Sequence, residues 1–163
     1  MLRPKLLHAK SNVAGTAHVS ELGRASMQDL IAIRALLERS GLPTSDLESA
    51  RPEFAVIRED GRVIAAGALQ RFGSSALLRS VVVAPDRRGS GLGQAVVSEL
   101  ERMARGSQVI CLVLLTQTAA EFFARQGYRV IERSTVPRAM QGSEEFRSLC
   151  PSFATCMAKR LPP

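Results

Sequence analysis

The segment that most constrains the fold of this chain is VVVAPDRRGSGLG, residues 81–93, in which an apolar strand runs directly into a glycine-rich loop. The residues that follow, up to Arg105, carry apolar side chains at helical spacing. A helix that begins in glycines offers backbone N–H groups and the positive end of its dipole to an anion. Glycine also permits positive φ and close approach of a ligand, and arginine adds positive charge. The residues concerned are Arg87, Arg88, Gly89, Gly91 and Gly93. The segment therefore predicts a strand–loop–helix unit that binds a phosphate.

Length and composition favour one domain and disfavour several classes of protein. The chain has 163 residues, of which 45% are hydrophobic, enough for one core. No apolar run approaches the ~18 residues of a membrane span. The net charge of +7 favours anionic ligands, but it is scattered, almost entirely arginine, and accompanied by one tyrosine and no tryptophan, which disfavours nucleic-acid binding. Residues 1–15 are predicted to be a flexible basic tail and 16–163 a single domain. No signal peptide is evident, so we expect a cytoplasmic protein.

The cysteines and histidines do not form a metal-binding pattern. Cys111, Cys150 and Cys156 include no C-x-x-C pair, and His8 and His18 lie far from them near the N-terminus. An odd number of cysteines also disfavours a secreted disulfide framework. We therefore expect no bound metal.

Periodicity predicts a mixed α/β fold of about seven strands and about four helices. The helix predicted over 26–42 has Ser26 and Asp29 as a capping box and carries an apolar stripe of Leu30, Ile33, Leu36 and Leu37. Three successive strands form an antiparallel meander before the glycine-rich loop, and the last strand is expected at a sheet edge. The predicted strands are 17–22, 53–59, 62–72, 76–84, 108–116, 129–134 and 153–161. The other predicted helices are 44–49, 91–105, 118–128 and a short one within 137–148.

The spacing of the glycines selects among phosphate-binding loops. A dinucleotide fingerprint requires G-x-G-x-x-G or a final alanine, but the frames that start at Gly89 and Gly91 end in Gln94 and Val96. No G-x-x-x-x-G-K-[ST] sequence is present either. The pattern that does match is R-x-x-G-x-G, formed by Arg88, Gly91 and Gly93 directly after the apolar strand.

That arrangement resembles the GNAT superfamily of acyl-CoA-dependent N-acetyltransferases. LLRSVVVAPDRRGSGLGQAVVSELE is similar to the family's fourth strand, pyrophosphate loop and third helix, and TAAEFFARQGYRVIER is similar to a later helix and strand. With the meander, the resemblance covers roughly residues 17–161. It implies an α/β (α+β) GNAT fold, in which about four helices flank a central, mixed but mostly antiparallel sheet.

A closer resemblance is to the ArsN-type acetyltransferases associated with arsenic resistance. The stretches that carry it are IRALLERSGLPTSDL, ALLRSVVVAP, LLTQTAAEFFARQGY and EFRSLCPSFATCMAK. This resemblance implies a setting of arsenic or toxic amino-acid resistance. It also raises an alternative in which Cys150 and Cys156 bind a metalloid through soft thiolates, although Pro151 disfavours the straight segment which that requires.

The GNAT resemblance implies a site for acetyl-CoA. Backbone N–H groups of the loop would hold the pyrophosphate, and the strand before it would hydrogen-bond the pantetheine and polarise the thioester carbonyl near Val83. Only one of the adjacent arginines is expected to point at the ligand; the alternative is a solvated loop charge. The predicted CoA-binding residues are Val81, Val82, Val83, Arg87, Arg88, Gly89, Ser90, Gly91, Leu92, Gly93 and Phe123.

Arg79 is a candidate acceptor-site residue because it is the one charge in an apolar strand. A buried guanidinium requires a partner, and a carboxylate of the acceptor could supply it through two hydrogen bonds. The alternative is a structural charge paired with a neighbouring residue of the chain.

The catalytic acid and base cannot be assigned from the sequence. Phe123 stands where many GNAT relatives have a tyrosine that protonates the departing thiolate, and phenylalanine has no proton to donate. A thiolate with a pKa near ~8.5 leaves tolerably at neutral pH, and Tyr128 or water are alternative donors. No pattern directs Glu53, Glu59 or Glu121 at an amine.

Three functions remain open at this point. The first is transfer of an acetyl group from acetyl-CoA to a small amine, which can carry an anionic group. The others are a protein or peptide acetyltransferase and a catalytically weak acyl-CoA-binding sensor. CoA and the amine are the expected partners, with no membrane partner, and a homodimer is left open.

Overall fold

A computed structural model of the chain describes residues 5–8 and 19–163, the first four and Val19 by their backbone alone. Two compact units make up the fold, and each draws on three stretches of the chain. The first comprises Met1–Thr44, Glu53–Ala68 and Ser80–Glu99, and the second comprises Ser45–Pro52, Leu69–Arg79 and Leu100–Pro163. The single domain expected for residues 16–163 stays a prediction.

Strands and helices follow the predicted order closely. The strands are β1 Lys5–His8, β2 Val19–Arg24, β3 Glu53–Glu59, β4 Arg62–Phe72, β5 Ser75–Val83, β6 Cys111–Thr116, β7 Arg129–Val130 and β8 Thr155–Arg160. The helices are α1 Asp29–Arg39, α2 Leu47–Ala50, α3 Leu92–Gly106, α4 Ala120–Arg125 and α5 Arg138–Gln141, with a π-helix over Glu145–Leu149. The seven predicted strands are therefore present, and β1 is an eighth.

The strands are hydrogen-bonded in the order β1-β2-β3-β4-β5-β6-β8-β7. The pair β5–β6 is parallel, whereas β1–β2, β2–β3, β6–β8 and β7–β8 are antiparallel. The prediction that the last strand lies at the sheet edge is wrong, because β8 pairs with β6 on one side and with the two-residue β7 on the other. The mixed, mostly antiparallel sheet of the GNAT fold is confirmed.

Part of the predicted N-terminal tail is regular. Lys5–His8 pairs with Val19–Leu22 as an antiparallel strand, so these four residues are not the irregular segment that the sequence suggested. The rest of the predicted tail, residues 1–4 and 9–15, lies outside the described residues.

The meander in the first unit depends on a tight turn between β3 and β4. Asp60 and Gly61 both have positive φ, +50° and +78°, as the two central residues of a type I′ turn require. Aspartate tolerates this conformation better than most residues, and glycine adopts it without a steric penalty. The predicted hairpin turn at this position is confirmed.

Helix α1 packs through three of its four predicted apolar residues. Ile33, Leu36 and Leu37 are fully buried, whereas Leu30 is 43% exposed. All four positions lie on one helix face, but Leu30 is in the first turn, at the N-terminal end of that face. Near the other end, Gly41 at φ +71° allows the N–H of Leu42 to bond the carbonyl of Leu37.

The carboxylate of Asp29, at the start of α1, forms hydrogen bonds with both Ser26 and Arg58. Asp29 accepts hydrogen bonds from the backbone N–H and hydroxyl of Ser26, at 2.6 and 3.0 Å. Only the Asp29 half of the predicted capping box is therefore present, because the Ser26 hydroxyl donates to Asp29 and the residue before the helix is Gln28, which makes no side-chain cap bond. Its two oxygens also accept from Arg58 on β3. Burial by itself raises the pKa of Asp29, but the hydrogen bonds from Arg58 and Ser26 outweigh it, so the net pKa lies below 3.8.

The second unit has its own apolar core. Leu77 of β5 and Val113 of β6 pack with Val136, Met140 and Cys156. Elsewhere in this unit, the partly exposed Lys159 of β8 donates to both oxygens of Glu101, at 2.9 and 3.1 Å, and to the carbonyl of Gln126. These bonds pair its charge with that of Glu101, a buried carboxylate. No helix among the described residues is long and apolar enough to span a bilayer.

We expect replacement of Asp29 by asparagine to destabilise the protein by about 2 kcal/mol at pH 7, because a charged, partly buried hydrogen-bond network is lost. A lowered pKa in the folded state stabilises the protein above the unfolded pKa of ~3.9, and this contribution disappears as the pH falls below it. Urea unfolding of wild type and Asp29→Asn from pH 7 to pH 3 measures the difference. Glu53→Gln, in an exposed pair with Arg24, is the control. A difference that does not shrink on acidification would contradict this role.

Candidate active site

The loop between β5 and α3 lies wholly in the first unit and is built from tight backbone turns. A 3-10 turn over Pro85–Arg87 is closed by the bond from the Arg87 N–H to the Ala84 carbonyl, 2.9 Å. Gly89 and Gly91 then adopt φ of +80° and +82°. These values require glycine, since other residues meet a steric penalty of about 1–2 kcal/mol there. The sequence thus uses glycine at the two positions where the chain reverses before the helix.

Helix α3 begins at the end of this loop, where the first N–H groups of any helix have no acceptor within it. Its first intrahelical bond runs from the N–H of Ala95 to the carbonyl of Gly91, 3.1 Å. The N–H groups of Leu92, Gly93 and Gln94 come before the first residue that can form such a bond, so the helix itself offers them no carbonyl four residues earlier. The dipole of a 15-residue helix adds partial positive charge at this end.

There is room at the two glycines for a ligand to meet this backbone. A Cβ built on Gly89 or on Gly91 would have no atom within 4 Å, so both positions face open space. Successive N–H groups around residues of positive φ form concave anion sites. These features make the loop the candidate anion site of the chain.

Strand β5 offers a second set of backbone groups. The N–H of Ala84 bonds the carbonyl of Ile64 on β4, 2.8 Å. Because hydrogen-bonding direction alternates along an antiparallel strand, Val82 also faces β4, and Val81 and Val83 direct their N–H groups to the opposite side. The Val82 side chain is buried at the same time, so this residue packs in the core while its neighbours offer backbone groups.

Ser80 adds a break in β5 that the sequence does not indicate. Its φ is +57°, which is rare for a residue other than glycine, asparagine or aspartate. A single left-handed residue within a strand is typical of a β-bulge, which redirects the strand and is frequent beside active sites. The ladder between β5 and β6 covers only Ser75–Leu77 with Cys111–Val113, so it ends before this residue.

The two loop arginines have different partners. Arg87 donates to Glu59 at the end of β3, with 3.1 Å from Nε, and the hydrogen bond to Glu59 raises the pKa of Arg87. Arg88 is exposed, and its Nε lies 3.3 Å from the carbonyl of Val83. Which of the two points at a ligand stays a prediction, and Arg88 is the more exposed of the pair.

Arg79 in the second unit has a partner within the chain. Its Nη1 and Nη2 each donate to Asp46 at 2.6 Å, Nη1 also donates to Gln70 at 3.0 Å, and Glu145 lies 3.3 Å from Nη2. Only 1% of the side chain is exposed. Burial alone would lower the pKa of Arg79, but the hydrogen bond that it donates to Asp46 and the charge of Glu145 raise it. The carboxylate expected from the acceptor is thus supplied by Asp46, which corresponds to the structural alternative.

Phe123 and Tyr128, also in the second unit, pack against each other. Their rings meet edge to face, with 5.7 Å between the centroids. The hydroxyl of Tyr128 donates to Glu101, 3.1 Å, and burial, followed by the charge of Glu101, raises the pKa of this tyrosine far above its ordinary value. A hydroxyl held in this way is poorly suited to donate its proton, so packing is the role that the contacts support.

The remaining candidates also have structural partners. Glu53 pairs with Arg24 at 3.4 Å, and Glu59 pairs with Arg87. Thr116 accepts the N–H of Ala119 just before α4, 3.0 Å. Glu53 and Glu59 are both held in ion pairs, and neither is assigned as a general base.

The cysteine alternative receives no support from the structure. Cys156 is buried in the core, and burial raises its pKa. Burial, together with the nearby charge of Glu145, raises the pKa of Cys150 to about 12. A soft metal or metalloid requires thiolates, which both environments disfavour. Within residues 5–8 and 19–163, no group of three or more histidine, cysteine, aspartate or glutamate side chains could hold a metal ion.

Comparison with known proteins identifies the class to which this fold and loop belong. The model of the family described as "Acetyltransferase (GNAT) domain" matches residues 50–130, from the start of the meander through α4 to β7. An amino-acid acetyltransferase of Mycobacterium tuberculosis is 35% identical over 137 residues, which cover 82% of this chain and 74% of that protein. The chain belongs to the GNAT acetyltransferase family. It is an acyltransferase with acetyl-CoA as co-substrate.

Two solved structures are similar to the chain in fold. Rv2747 from Mycobacterium tuberculosis, in complex with CoA and NLQ, has a TM-score of 0.75 and 30% identity over 86% of this chain and 99% of its own. N-acetylglutamate synthase from Neisseria gonorrhoeae, complexed with CoA and N-acetyl-glutamate, has a TM-score of 0.76, but its 22% identity supports the fold alone. The match covers 88% of this chain and 35% of the gonococcal protein, so this chain spans about a third of that protein's length.

We predict that Gly91→Leu abolishes most CoA binding, because the side chain would enter the open space in front of the α3 donors. Gly73→Leu is the matched control, since Gly73 also has positive φ, +64°, and open space around it, but lies in the β4–β5 turn. Both variants should lose about 1–2 kcal/mol of stability to backbone strain. Calorimetric titration with CoA should show at least about tenfold weaker binding for Gly91→Leu alone. Equal affinity in the two variants would exclude this loop as the diphosphate site.

We predict that Asp46→Asn destabilises the protein by about 3 kcal/mol or more, because it leaves the buried Arg79 guanidinium without its main counter-charge. Denaturant unfolding measures this loss, with Glu53→Gln as the control for an exposed pair. If Asp46→Asn instead kept wild-type stability and selectively weakened binding of anionic amines, Arg79 would belong to the acceptor site after all.

Proposed function

We propose that this protein transfers the acetyl group of acetyl-CoA to the amino group of a free amino acid. The observation that carries the proposal is the backbone site formed by the end of β5, Gly89, Gly91 and the start of α3. The acceptor class rests on the 35% identical relative, which is named an amino-acid acetyltransferase. Rv2747, which this chain covers almost completely, was solved with CoA and NLQ.

The loop holds the donor mainly through its backbone. The N–H groups of residues 88–94 bind the diphosphate, and Arg88 places its exposed guanidinium beside it. Backbone donors have fixed positions, so little conformational entropy is lost when the ligand binds. Arg87 contributes indirectly, because its side chain is paired with Glu59.

The strand before the loop aligns the reactive end of the donor. Acetyl-CoA supplies a thioester whose carbonyl carbon is open to attack by an amine. The outward N–H groups of Val81 and Val83 hydrogen-bond the pantetheine arm as an added strand would. An N–H near Val83 stabilises negative charge on the carbonyl oxygen, an effect that is often the largest single contribution to such reactions.

The proposed reaction needs neither a general acid nor a general base from the protein. Phe123 has no proton to donate, and the Tyr128 hydroxyl is committed to Glu101. A thiolate with a pKa near ~8.5 is an adequate leaving group near neutral pH. We propose that water removes the proton from the acceptor amine, so the rate should rise with pH as more of that amine becomes neutral.

The guanidinium of Arg79 is buried and paired with Asp46. Other groups must therefore recognise the carboxylate of the acceptor. The setting of arsenic or toxic amino-acid resistance and the cytoplasmic location both stay predictions, as does a homodimer. A sensor without turnover is the alternative that Phe123 favours.

The test is an acetyl-transfer assay with free amino acids, their N-acetylated forms and short peptides as acceptors. Release of CoA thiol is followed spectroscopically, and mass spectrometry identifies the acetylated product. We expect turnover with at least one free amino acid, none with blocked amines, and a rate that rises from pH 6 to pH 9. Turnover with peptides alone would replace the proposal by a peptide acetyltransferase. CoA binding without turnover on any amine would replace it by a sensor.

A further inference from the structure

The turn between β3 and β4 is tied to the glycine-rich loop by four charged side chains of the first unit. Glu59 ends β3 and Arg62 begins β4, on either side of the Asp60–Gly61 turn. Asp86 and Arg87 lie in the 3-10 turn of the loop. Glu59 pairs with Arg87, and Arg62 pairs with Asp86.

The two pairs differ in exposure and hence in strength. Arg62 and Asp86 are 3.4 Å apart with side chains 57% and 52% exposed, so water and salt screen their attraction. The side chains of Glu59 and Arg87 are 13% and 34% exposed, and both Nε and Nη2 of the arginine donate to one oxygen of the glutamate. The Glu59–Arg87 pair is therefore the one that can hold the loop.

Arg87 is well placed to transmit this restraint to the backbone. Its N–H bonds the Ala84 carbonyl at 2.9 Å, and its own carbonyl accepts the Ser90 hydroxyl at 2.6 Å. These two bonds fix the residue at the entrance to the Gly89–Gly91 segment. Glu59 in turn is fixed by the last position of β3 and by the constrained turn that follows it.

We propose that Glu59 is a positioning residue for the CoA diphosphate loop, which it holds in the binding conformation through Arg87. This inference rests on the proposed donor site. The Glu59–Arg87 pair then has two effects. The loop backbone is ordered before the ligand arrives, and the guanidinium of Arg87 is directed to the hairpin, which leaves Arg88 as the arginine beside the phosphates.

The proposal makes a prediction whose sign separates it from simple electrostatics. Glu59 is a negative charge near a site for a multiply charged anion, so its removal should strengthen CoA binding if charge alone mattered. If Glu59 acts by ordering the loop, its removal should weaken binding, because the ordering must then take place on binding.

Calorimetric titration of the full chain with CoA provides the test. We expect Glu59→Gln to weaken CoA binding about fivefold to tenfold, and Glu59→Asp to fall between it and wild type. Glu53→Gln makes the same change of charge on the same strand, in an exposed pair, and should stay within about twofold of wild type. The reversed pair, Glu59→Arg with Arg87→Glu, should recover part of the loss.

Unfolding curves recorded for each variant show whether its fold is intact. The weaker CoA binding of Glu59→Gln should appear at a temperature at which its unfolding curve shows a folded protein. Unchanged or tighter CoA binding by folded Glu59→Gln would overturn the inference and leave the donor site standing. Absence of CoA binding by the wild type would instead overturn the proposed function itself.

Discussion

The constraint on which the candidate site depends is the short connection between the end of β5 and the first turn of α3. Strand and helix both expose backbone N–H groups there, and Gly89 and Gly91 allow the chain to reverse between them without side chains in the way. The proposed ligand has an extended amide-containing arm and a diphosphate, one for each set of donors. Recognition by main chain would leave the side chains of this region free to build the core. Val82 illustrates the division, since its side chain is buried in the strand whose backbone is proposed to bind the arm.

Several arginines of this basic chain are paired with carboxylates. Arg58, Arg79 and Arg87 each bond a carboxylate, respectively Asp29, Asp46 and Glu59. Such pairs hold secondary elements together, and they also remove these guanidinium groups from direct competition for anionic ligands. Positive potential at the candidate donor site then comes chiefly from the α3 dipole and from Arg88. A net charge of +7 is thus a poor guide to which arginines touch a ligand, whereas the partners of each arginine are informative.

Local sequence chemistry was enough to predict most elements and the loop. Alternation, helical spacing and glycine positions act over a few residues, which is why the β3–β4 hairpin and the start of α3 are found close to where they were expected. The larger errors concern contacts between distant residues. Arg79 and Asp46 are 33 positions apart, and the place of β8 between β6 and β7 follows from pairing with strands far along the chain. Ser80 has positive φ without being glycine, so no residue type indicates the break in β5.

The central claim is that backbone groups of β5 and of the α3 entrance bind CoA. Hydrogen–deuterium exchange, read by mass spectrometry with and without saturating CoA, reports on those groups directly, because a bound N–H exchanges more slowly than a free one. The account predicts slower exchange in peptides that contain residues 81–83 and 88–94, with little change in the β4–β5 turn at Gly73. Binding of CoA with no protection of residues 88–94, or with protection confined to other segments, would contradict it.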